Sequence, residues 1–364
     1  MTDSKKNIAL IFGGRSAEHE VSLVSAKNVF KALDKDKYSA VLIGISKAGK
    51  WHLVNEELLL SLNEELFPSL EELQLGNPGE EVIFAPGDSN ARLVSLESKE
   101  VLGTVDVVFP VLHGPYGEDG TIQGYFEIMN VPFVGPGVLG AAVGMDKDVT
   151  KRLLREAGIS TSKSLAFHTE DRPDYESTRA VLGDVLFVKP ANMGSSVGIS
   201  KATDRSTFDA AVELAFRFDK KVIVEEFISG RELECSVLDG ENLIASSVIG
   251  EIIPEARHGF YSYEAKYMDA DGAKLQIPAD LPDTTVEQIQ KMSKETFRVL
   301  CLRGMARVDF FLTDDNRLLI NEANTIPGFT KISMYPALLK ESGIEYKDLV
   351  DKLIQLGLER SRGR

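Results

Sequence analysis

Short apolar runs and helical stripes alternate along the first third of the chain. Residues 8–12 (Ile-Ala-Leu-Ile-Phe) are uninterruptedly apolar and stop at Gly13-Gly14. Beyond them Val21, Val24, Val29 and Leu33 recur at helical intervals, which predicts a helix over about 20–33, and residues 40–45 predict a second strand. Residues 105–112 are nearly all apolar, as a strand covered on both faces should be. Strands alternating with helices predict a doubly wound α/β first domain on a parallel sheet. Residues 55–99 carry no pattern to which a function attaches.

Residues 134–140 (Val-Gly-Pro-Gly-Val-Leu-Gly) read as a connector. A helix is predicted over 146–157, with Val149, Leu153 and Ala157 as its inner stripe and Gly158 just past its end. Strands at 186–189, near 199 and at 222–225 surround a helix at 204–218. Past Gly230 the pattern is rich in strands, at 232–238, 243–253, 304–312 and 317–321, interrupted by a helix over 285–300 and followed by one closing helix. The class is α/β, turning α+β in the C-terminal half, with expected divisions at 1–140, 141–230 and 231–364.

Composition narrows the partners. Lys plus Arg is 41 and Asp plus Glu is 56, a net charge of −15. Such a surface repels nucleic-acid backbones, so a phosphate ligand would have to be met by a local group of cations, amides or metal. No apolar run nears the ~18 residues of a membrane span, and residues 8–12 are too short for a secretory signal. Cys235 and Cys301 lie in apolar segments without metal-like spacing and read as unpaired core thiols, which fits a reducing cytoplasm.

The chemistry concentrates near the C-terminus. Residues 307–312 and 319–324, linked by Thr313-Asp314-Asp315-Asn316, predict an antiparallel hairpin. Alternation puts Arg307 and Asp309 on one face, with Glu322 and Asn324 on one face of the other strand. Two carboxylates ~4 Å apart repel by about 4 kcal/mol at an effective dielectric near 20, which a cation relieves. Carboxylate and amide oxygens are the ligand set of Mg²⁺ or Mn²⁺. Arg307 reads either as a salt-bridge partner of these acids or as a fixed charge for an anion formed in a reaction. Gly328, in the turn that follows, could bring a backbone N–H close to such an anion.

Other segments are weaker alone. Lys189 precedes the loop Asn192-Met193-Gly194-Ser195-Ser196-Val197-Gly198, either a flexible connector or a phosphate-covering flap, with Lys147 at a helix start nearby in kind. Residues 222–228 run from apolar strand into Glu225-Glu226-Phe227-Ile228, a hinge able to face a flat base or else an exposed acidic turn. His113-Gly114-Pro115-Tyr116-Gly117-Glu118-Asp119-Gly120 follows a buried strand, and Gly13 to Glu20 follows another. Ligands of open α/β sheets bind beyond such strand ends, so Glu18 and His113 are expected to face one cleft. The first turn lacks G-x-G-x-x-G, which excludes a dinucleotide fingerprint.

These segments resemble the D-alanine–D-alanine ligases of the ATP-grasp superfamily. H-G-x-x-G-E-D-G-x-[aliphatic]-Q-G is matched by residues 113–124, and G-x-x-R-[aliphatic]-D with E-[aliphatic]-N-[ST]-x-P-G by 304–309 and 322–328. The opening G-G-x-S-x-E-x-x-V-S, Met145-Asp146-Lys147, the K-P…G-S-S-V-G of 189–198 and Glu264-Ala265-Lys266-Tyr267 also agree. The resemblance implies a doubly wound N-terminal sheet followed by a two-lobed ATP-grasp fold. It implies ATP-dependent joining of two D-alanines through an acylphosphate, in peptidoglycan precursor synthesis, by a cytoplasmic homodimer without nucleic-acid or membrane partners.

It also implies residue roles. Asp309, Glu322 and Asn324 would hold two Mg²⁺ (or Mn²⁺) ions, with Lys147, Lys189 and Lys266 on the nucleotide phosphates. Glu225 would meet adenine beside Phe227 and Ile228, Glu232 the ribose, and Asn321 the nucleotide. Glu18 and His113 would take the first D-alanine. Arg307 and the Gly328 N–H would form the oxyanion site. Ser195 and Tyr267 would join Glu18 in a triad that closes the site, and Ser333, with Met334 beside it, would hold the second D-alanine. Ligases making D-alanyl-D-lactate commonly carry Phe where this chain has Tyr267, which favours the dipeptide. A D-alanyl-D-lactate or other D-alanyl-X ligase of the same fold, and a nucleotide-binding regulator without catalysis, are the other readings.

Overall fold

The computed structural model describes residues 5–62, 79–85, 91–254 and 273–360. The chain opens with β1 (Lys6–Gly13), α1 (His19–Ala32), β2 (Tyr38–Ile45), β3 (Trp51–Leu53) and α2 (Glu56–Ser61). Three short strands follow, β4 (Val82–Ala85), β5 (Ala91–Ser95) and β6 (Val101–Val105), and then β7 (Val107–Val111). The first sheet has the order β3-β2-β1-β7, with β1 parallel to both β2 and β7. Strand alternation splits β1 between two cores. Ile8, Leu10 and Phe12 share one cluster with α1, and Ala9 and Ile11 share another with Phe84, Leu93 and Phe126.

The end of β1 shows why the following loop lies where it does. Gly13 has φ +89°, and a Cβ there would sit 2.3 Å from the Ile45 carbonyl oxygen, so only glycine makes this turn. The Gly13 N–H donates to Ser22 Oγ (2.7 Å), and that hydroxyl donates to the Val111 carbonyl. One buried serine of α1 thus ties together the ends of β1 and β7, fixing Glu18 over the carboxyl edge of the sheet.

The chain continues through α3 (Thr121–Ile128), α4 (Val138–Met145) and α5 (Lys147–Glu156). A second sheet is built from β8 (Ser164–His168), β9 (Leu186–Pro190), β10 (Ser200–Ala202) and β11 (Lys221–Glu226), in the antiparallel order β10-β9-β11-β8. Between these strands run α6 (Tyr175–Leu182) and α7 (Arg205–Phe216), which cover one of its faces through Tyr175, Leu182, Phe208 and Val212. The third sheet comprises β12 (Gly230–Leu238), β13 (Ile244–Ala245), β14 (Gly250–Pro254), β15 (Ala273–Gln276), β16 (Met305–Thr313) and β17 (Leu318–Asn324). Its order is β15-β14-β12-β16-β17, with β13 on β12. Leu233, Cys235, Val308 and Phe310 pack with Ile289 and Phe297 of α8 (Asp283–Val299). The alternate residues, Glu234, Arg307 and Asp309, face the other way. Two helices, α9 (Met334–Glu341) and α10 (Tyr346–Glu359), close the described chain, and Leu349, Val350, Leu353 and Ile354 of α10 pack into the core of the first sheet.

The structure corrects several expectations. Residues 105–112 are not one strand: Asp106 separates β6, in the small β4-β5-β6 sheet, from β7. Residues 243–253 likewise form two strands, and one closing helix proves to be two. The inner stripe of α5 is Thr150, Lys151 and Leu154, whereas Leu153 and Ala157 are exposed. The periodicity failed there because two lysines four residues apart, Lys147 and Lys151, face inward. Cys235 is a core thiol, its pKa pushed up by burial, but Cys301 is exposed just past the end of α8.

Candidate active site

The hairpin of β16 and β17 pairs its polar residues directly. Arg307 lies opposite Asn324 and Asp309 opposite Glu322. After Asp309 the register shifts so that Phe310 pairs with Ile320, leaving Asn321 as the extra residue of a bulge. Neighbouring β12 adds Glu234 opposite Asp309. Arg307 answers this acidic face with its planar fork: Nε and Nη2 donate to the two Asp309 oxygens at 2.8 and 2.7 Å, and Nε lies 3.1 Å from Glu234. Burial opposes the guanidinium charge, but Asp309 and Glu234 outweigh it and raise the Arg307 pKa. Asn324 Nδ2 donates to Asp309 (2.9 Å), which leaves its amide oxygen for another donor or a cation. Among the described residues no three His, Cys, Asp or Glu side chains form a metal cluster; the predicted set is two carboxylates and an amide.

Facing the hairpin across a cavity of about 480 Å³ are the ends of β9 and β11 and the start of α5. Lys147 Nζ donates to the Met193 carbonyl (2.7 Å) and lies 3.6 Å from Glu322. Lys189 Nζ donates to Glu225 Oε2 at 2.9 Å. Lys151, 1% exposed in its side chain, lies 3.3 Å from Glu225 Oε1 and donates to Ser162 Oγ at 2.7 Å. Burial works against the Glu225 carboxylate, yet the two ammoniums hold its pKa down to about 2. Burial likewise opposes the Lys189 ammonium and is outweighed by Glu225, so its pKa is raised; for Lys151 burial prevails and lowers it. Phe227 and Phe187 stack with ring centres 6.1 Å apart, giving the cavity a flat apolar wall, with Ile228, Glu232 and Asn321 also along its lining.

The Gly/Ser loop crosses to the first sheet. Ser195 donates to Glu18, and a Cβ on Gly194 or on Gly114 would lie 2.7 Å from Glu18 Oε2, so two glycines from separate segments let the backbone close around one carboxylate. Ser195 and Ser196 both hold φ in the left-handed region (50° and 60°), a strain that the loop's contacts must offset. His113 is buried, and its Nδ1 lies 3.0 Å from the Ile326 carbonyl, which can only accept, so Nδ1 carries the proton. Burial opposes the imidazolium, but Glu118, 3.6 Å away, outweighs it and raises the His113 pKa. On the other side of the ring Nε2 lies 3.3 Å from Ser25 Oγ, which also accepts the Phe329 N–H (3.2 Å). These contacts pin the 326–329 turn to the first sheet, with Gly328 against Ser333: a Cβ on Gly328 would be 2.7 Å from Ser333 Oγ. The Thr330 N–H donates to that hydroxyl at 2.9 Å.

The structure therefore brings Lys147, Lys189, Ser195, Arg307, Asp309, Asn321 and Glu322 around one cavity, with Glu18 bonded to Ser195, Asn324 opposite Arg307, and His113, Gly328 and Ser333 linked through the 326–329 turn. Two placements bear on the expected roles. Glu225 lines the cavity, but its carboxylate is committed to two lysines instead of pointing at a base. The Met334 side chain is buried with Ile252 and Leu338, so only its backbone N–H, in the first turn of α9 and lacking an intrahelical partner, is left for a ligand. Lys266 and Tyr267 lie outside the described residues. Sequence reasoning missed Glu234, Lys151 and Ser25. Each stands at a readable interval from a residue that was singled out: two along a strand from Glu232, four along a helix from Lys147, and seven from Glu18.

Comparison with known proteins decides what the cleft belongs to. The family described as D-ala D-ala ligase N-terminus matches residues 7–136, and D-ala D-ala ligase C-terminus matches 153–355. The chain belongs to the D-alanine–D-alanine ligase family. A D-alanine–D-alanine ligase of Shouchella clausii is 51% identical over 359 residues, 98% of this chain and 96% of that one. Among solved structures, a D-Ala:D-Ser ligase from Enterococcus faecalis superposes with a TM-score of 0.84 at 36% identity, covering 97% of this chain and 100% of the other. A Bacillus anthracis D-alanine–D-alanine ligase complexed with ATP gives 0.72 at 28% identity, with 99% of each chain covered. The ligase accordingly has the ATP-grasp fold and is an ATP-dependent enzyme whose function is to join two D-alanines. Among its described residues, no helix is long and apolar enough to cross a membrane.

Proposed function

We propose that the three larger sheets mark three parts, over about 1–140, 141–230 and 231–364, whose shared cleft binds ATP and two D-alanines in line. The observation that carries this is the β16–β17 register, which sets Arg307, Asp309, Glu322 and Asn324 opposite Lys147 and Lys189 across the cavity. Phosphoryl transfer is mostly positioning and charge neutralisation. Lys147 and Lys189 take phosphate oxygens, Phe227 and Ile228 receive the base, and Glu232 and Asn321 the remainder of the nucleotide. Asp309 and Glu322 face each other across one rung with the Asn324 amide oxygen beside them, a donor set that fits two Mg²⁺ or Mn²⁺ ions held jointly with phosphates. When bound, such ions neutralise phosphate charge.

Glu18 receives the ammonium of the first D-alanine, and His113, protonated at Nδ1, fixes the wall beside its carboxylate. That carboxylate attacks the γ-phosphorus, the bond to the β,γ-bridging oxygen breaks, and ADP leaves an acylphosphate. Ser333 and the Met334 N–H hold the carboxylate of the second D-alanine, whose amine attacks the acyl carbonyl. Arg307 and the Gly328 N–H meet the oxyanion before phosphate leaves. Tyr267, in place of Phe, favours the amine nucleophile over a hydroxyl one. The likeness to the D-Ala:D-Ser ligase makes D-serine the competitor to measure. Such an enzyme works in the cytoplasm, on peptidoglycan precursors, as a homodimer.

The test is phosphate release with ATP, Mg²⁺ and a panel of D-alanine, D-serine and D-lactate, with products identified by mass. D-alanyl-D-alanine should dominate; a D-seryl or D-lactyl product in excess would overturn the dipeptide reading. A second prediction concerns the loop. Ser195→Ala removes a hydrogen bond to a charged acceptor and should lower kcat roughly tenfold. Because the loop also shields the acylphosphate from water, phosphate released per dipeptide should rise above one. A ratio that stays at one would show that the Ser195 hydroxyl does not hold the site closed.

A further inference from the structure

Beneath the nucleotide cavity lies a charge cluster that the reaction as described uses only in part. Lys189 and Glu225 line the cavity, whereas Lys151 does not. Lys151 comes from α5, Lys189 from β9 and Glu225 from β11, so three separate elements converge on one point. Among the described residues Glu225 is the only carboxylate in ion-pair contact with either lysine, and it divides its oxygens: Oε1 lies 3.3 Å from Lys151 and Oε2 2.9 Å from Lys189. Ser162 steadies the arrangement, accepting from Lys151 at 2.7 Å and donating towards Glu225 Oε2 at 3.4 Å.

Burying an ammonium costs several kcal/mol unless something in the site repays it. A single lysine would have sufficed to neutralise Glu225. The second ammonium leaves the trio with one net positive charge in a dry setting, and Lys189 lines the cavity above, from which an anion can approach it. We infer that Lys151 is a positioning residue for nucleotide phosphate: by taking half of Glu225 it keeps Lys189 from being neutralised and leaves its charge for the phosphate. The inference rests on the assignment of this cavity to ATP.

The charge count gives the test. The parent trio carries +1, Lys151→Met leaves 0, and Lys151→Met combined with Glu225→Gln restores +1 on Lys189. Binding of ADP and of adenosine is measured by calorimetry with Mg²⁺ on each purified protein, since adenosine lacks the phosphates and reports the base pocket alone. Lys151→Met should weaken ADP binding on the order of tenfold with adenosine unchanged. The double variant should recover the parent's preference for ADP, and Lys151→Arg should keep it. Loss of ADP and adenosine binding together in Lys151→Met, or a double variant as weak for ADP as the single one, would make the role one of packing and overturn the inference. Should Lys151→Met fail to fold, the double variant decides: a preference for ADP below that of the parent refutes it. A parent protein that binds ADP no better than adenosine would instead refute the nucleotide assignment itself.

Discussion

Arg307→Ala should lower kcat by about 10²–10³, the usual cost of removing one oxyanion donor. The loss has a second component that can be separated. Arg307 is the fork that spans Asp309 and Glu234, so its removal leaves two largely buried carboxylates facing one another across β12 and β16. Such an uncompensated pair should reduce stability by about 3–5 kcal/mol. Arg307→Lys separates the two effects: it returns a positive charge, and with it most of the stability, but a point charge cannot donate two parallel bonds to Asp309 while aiming at an oxyanion. The expected pattern is thus near-parent denaturant stability with kcat still depressed at least tenfold. A lysine variant with the parent's kcat would reduce Arg307 to a structural ion-pair partner, the alternative that its sequence context left open.

Glu225→Gln should reduce stability on the order of 3–5 kcal/mol, because it orphans two buried ammoniums at once. Urea denaturation checks it, and a change below 1 kcal/mol would mean that the lysines find other anions. The same group predicts an acid limit. Its pKa is about 2 in the folded protein against an ordinary 4.5, so the folded state holds this carboxylate ionised more firmly than the unfolded chain does. The stabilisation is fully present above about pH 4.5 and is lost as the pH falls from there towards 2. The parent should therefore lose stability steeply in that interval, and Glu225→Gln less steeply.

How much of this could be read from the residues alone depended on whether local pattern or tertiary neighbours decided the outcome. The hairpin was legible because alternation and a four-residue link leave few ways to pair Arg307, Asp309, Glu322 and Asn324. The bulge at Asn321 was not, since an extra residue leaves no trace in a polar strand. Strand β7 was visible as an apolar run, but its separation from β6 rests on Asp106, whose carboxylate accepts from the Asn7 N–H at 2.8 Å, a partner about 100 residues away. On α5 the apolar stripe misled because inward-facing residues of a functional helix need not be apolar. Lys151 is buried by virtue of Glu225, more than 70 residues further on, and no helical periodicity encodes that. The same holds for Glu225, whose strand-end position suggested a ligand contact until its two partners were located.

The place of α10 bears on how the molecule comes into being. Leu349, Val350, Leu353 and Ile354 cover apolar residues of β1 and β7, although both strands lie far earlier in the chain. During synthesis the earliest strands therefore emerge with α1 covering only part of that apolar side, and the remainder stays open until α10 has left the ribosome. Long-range closure of this kind is slow, and the waiting intermediate is prone to association with its own kind. Chaperones that shelter nascent chains have most to offer the first sheet, whose core is complete only once α10 is in place.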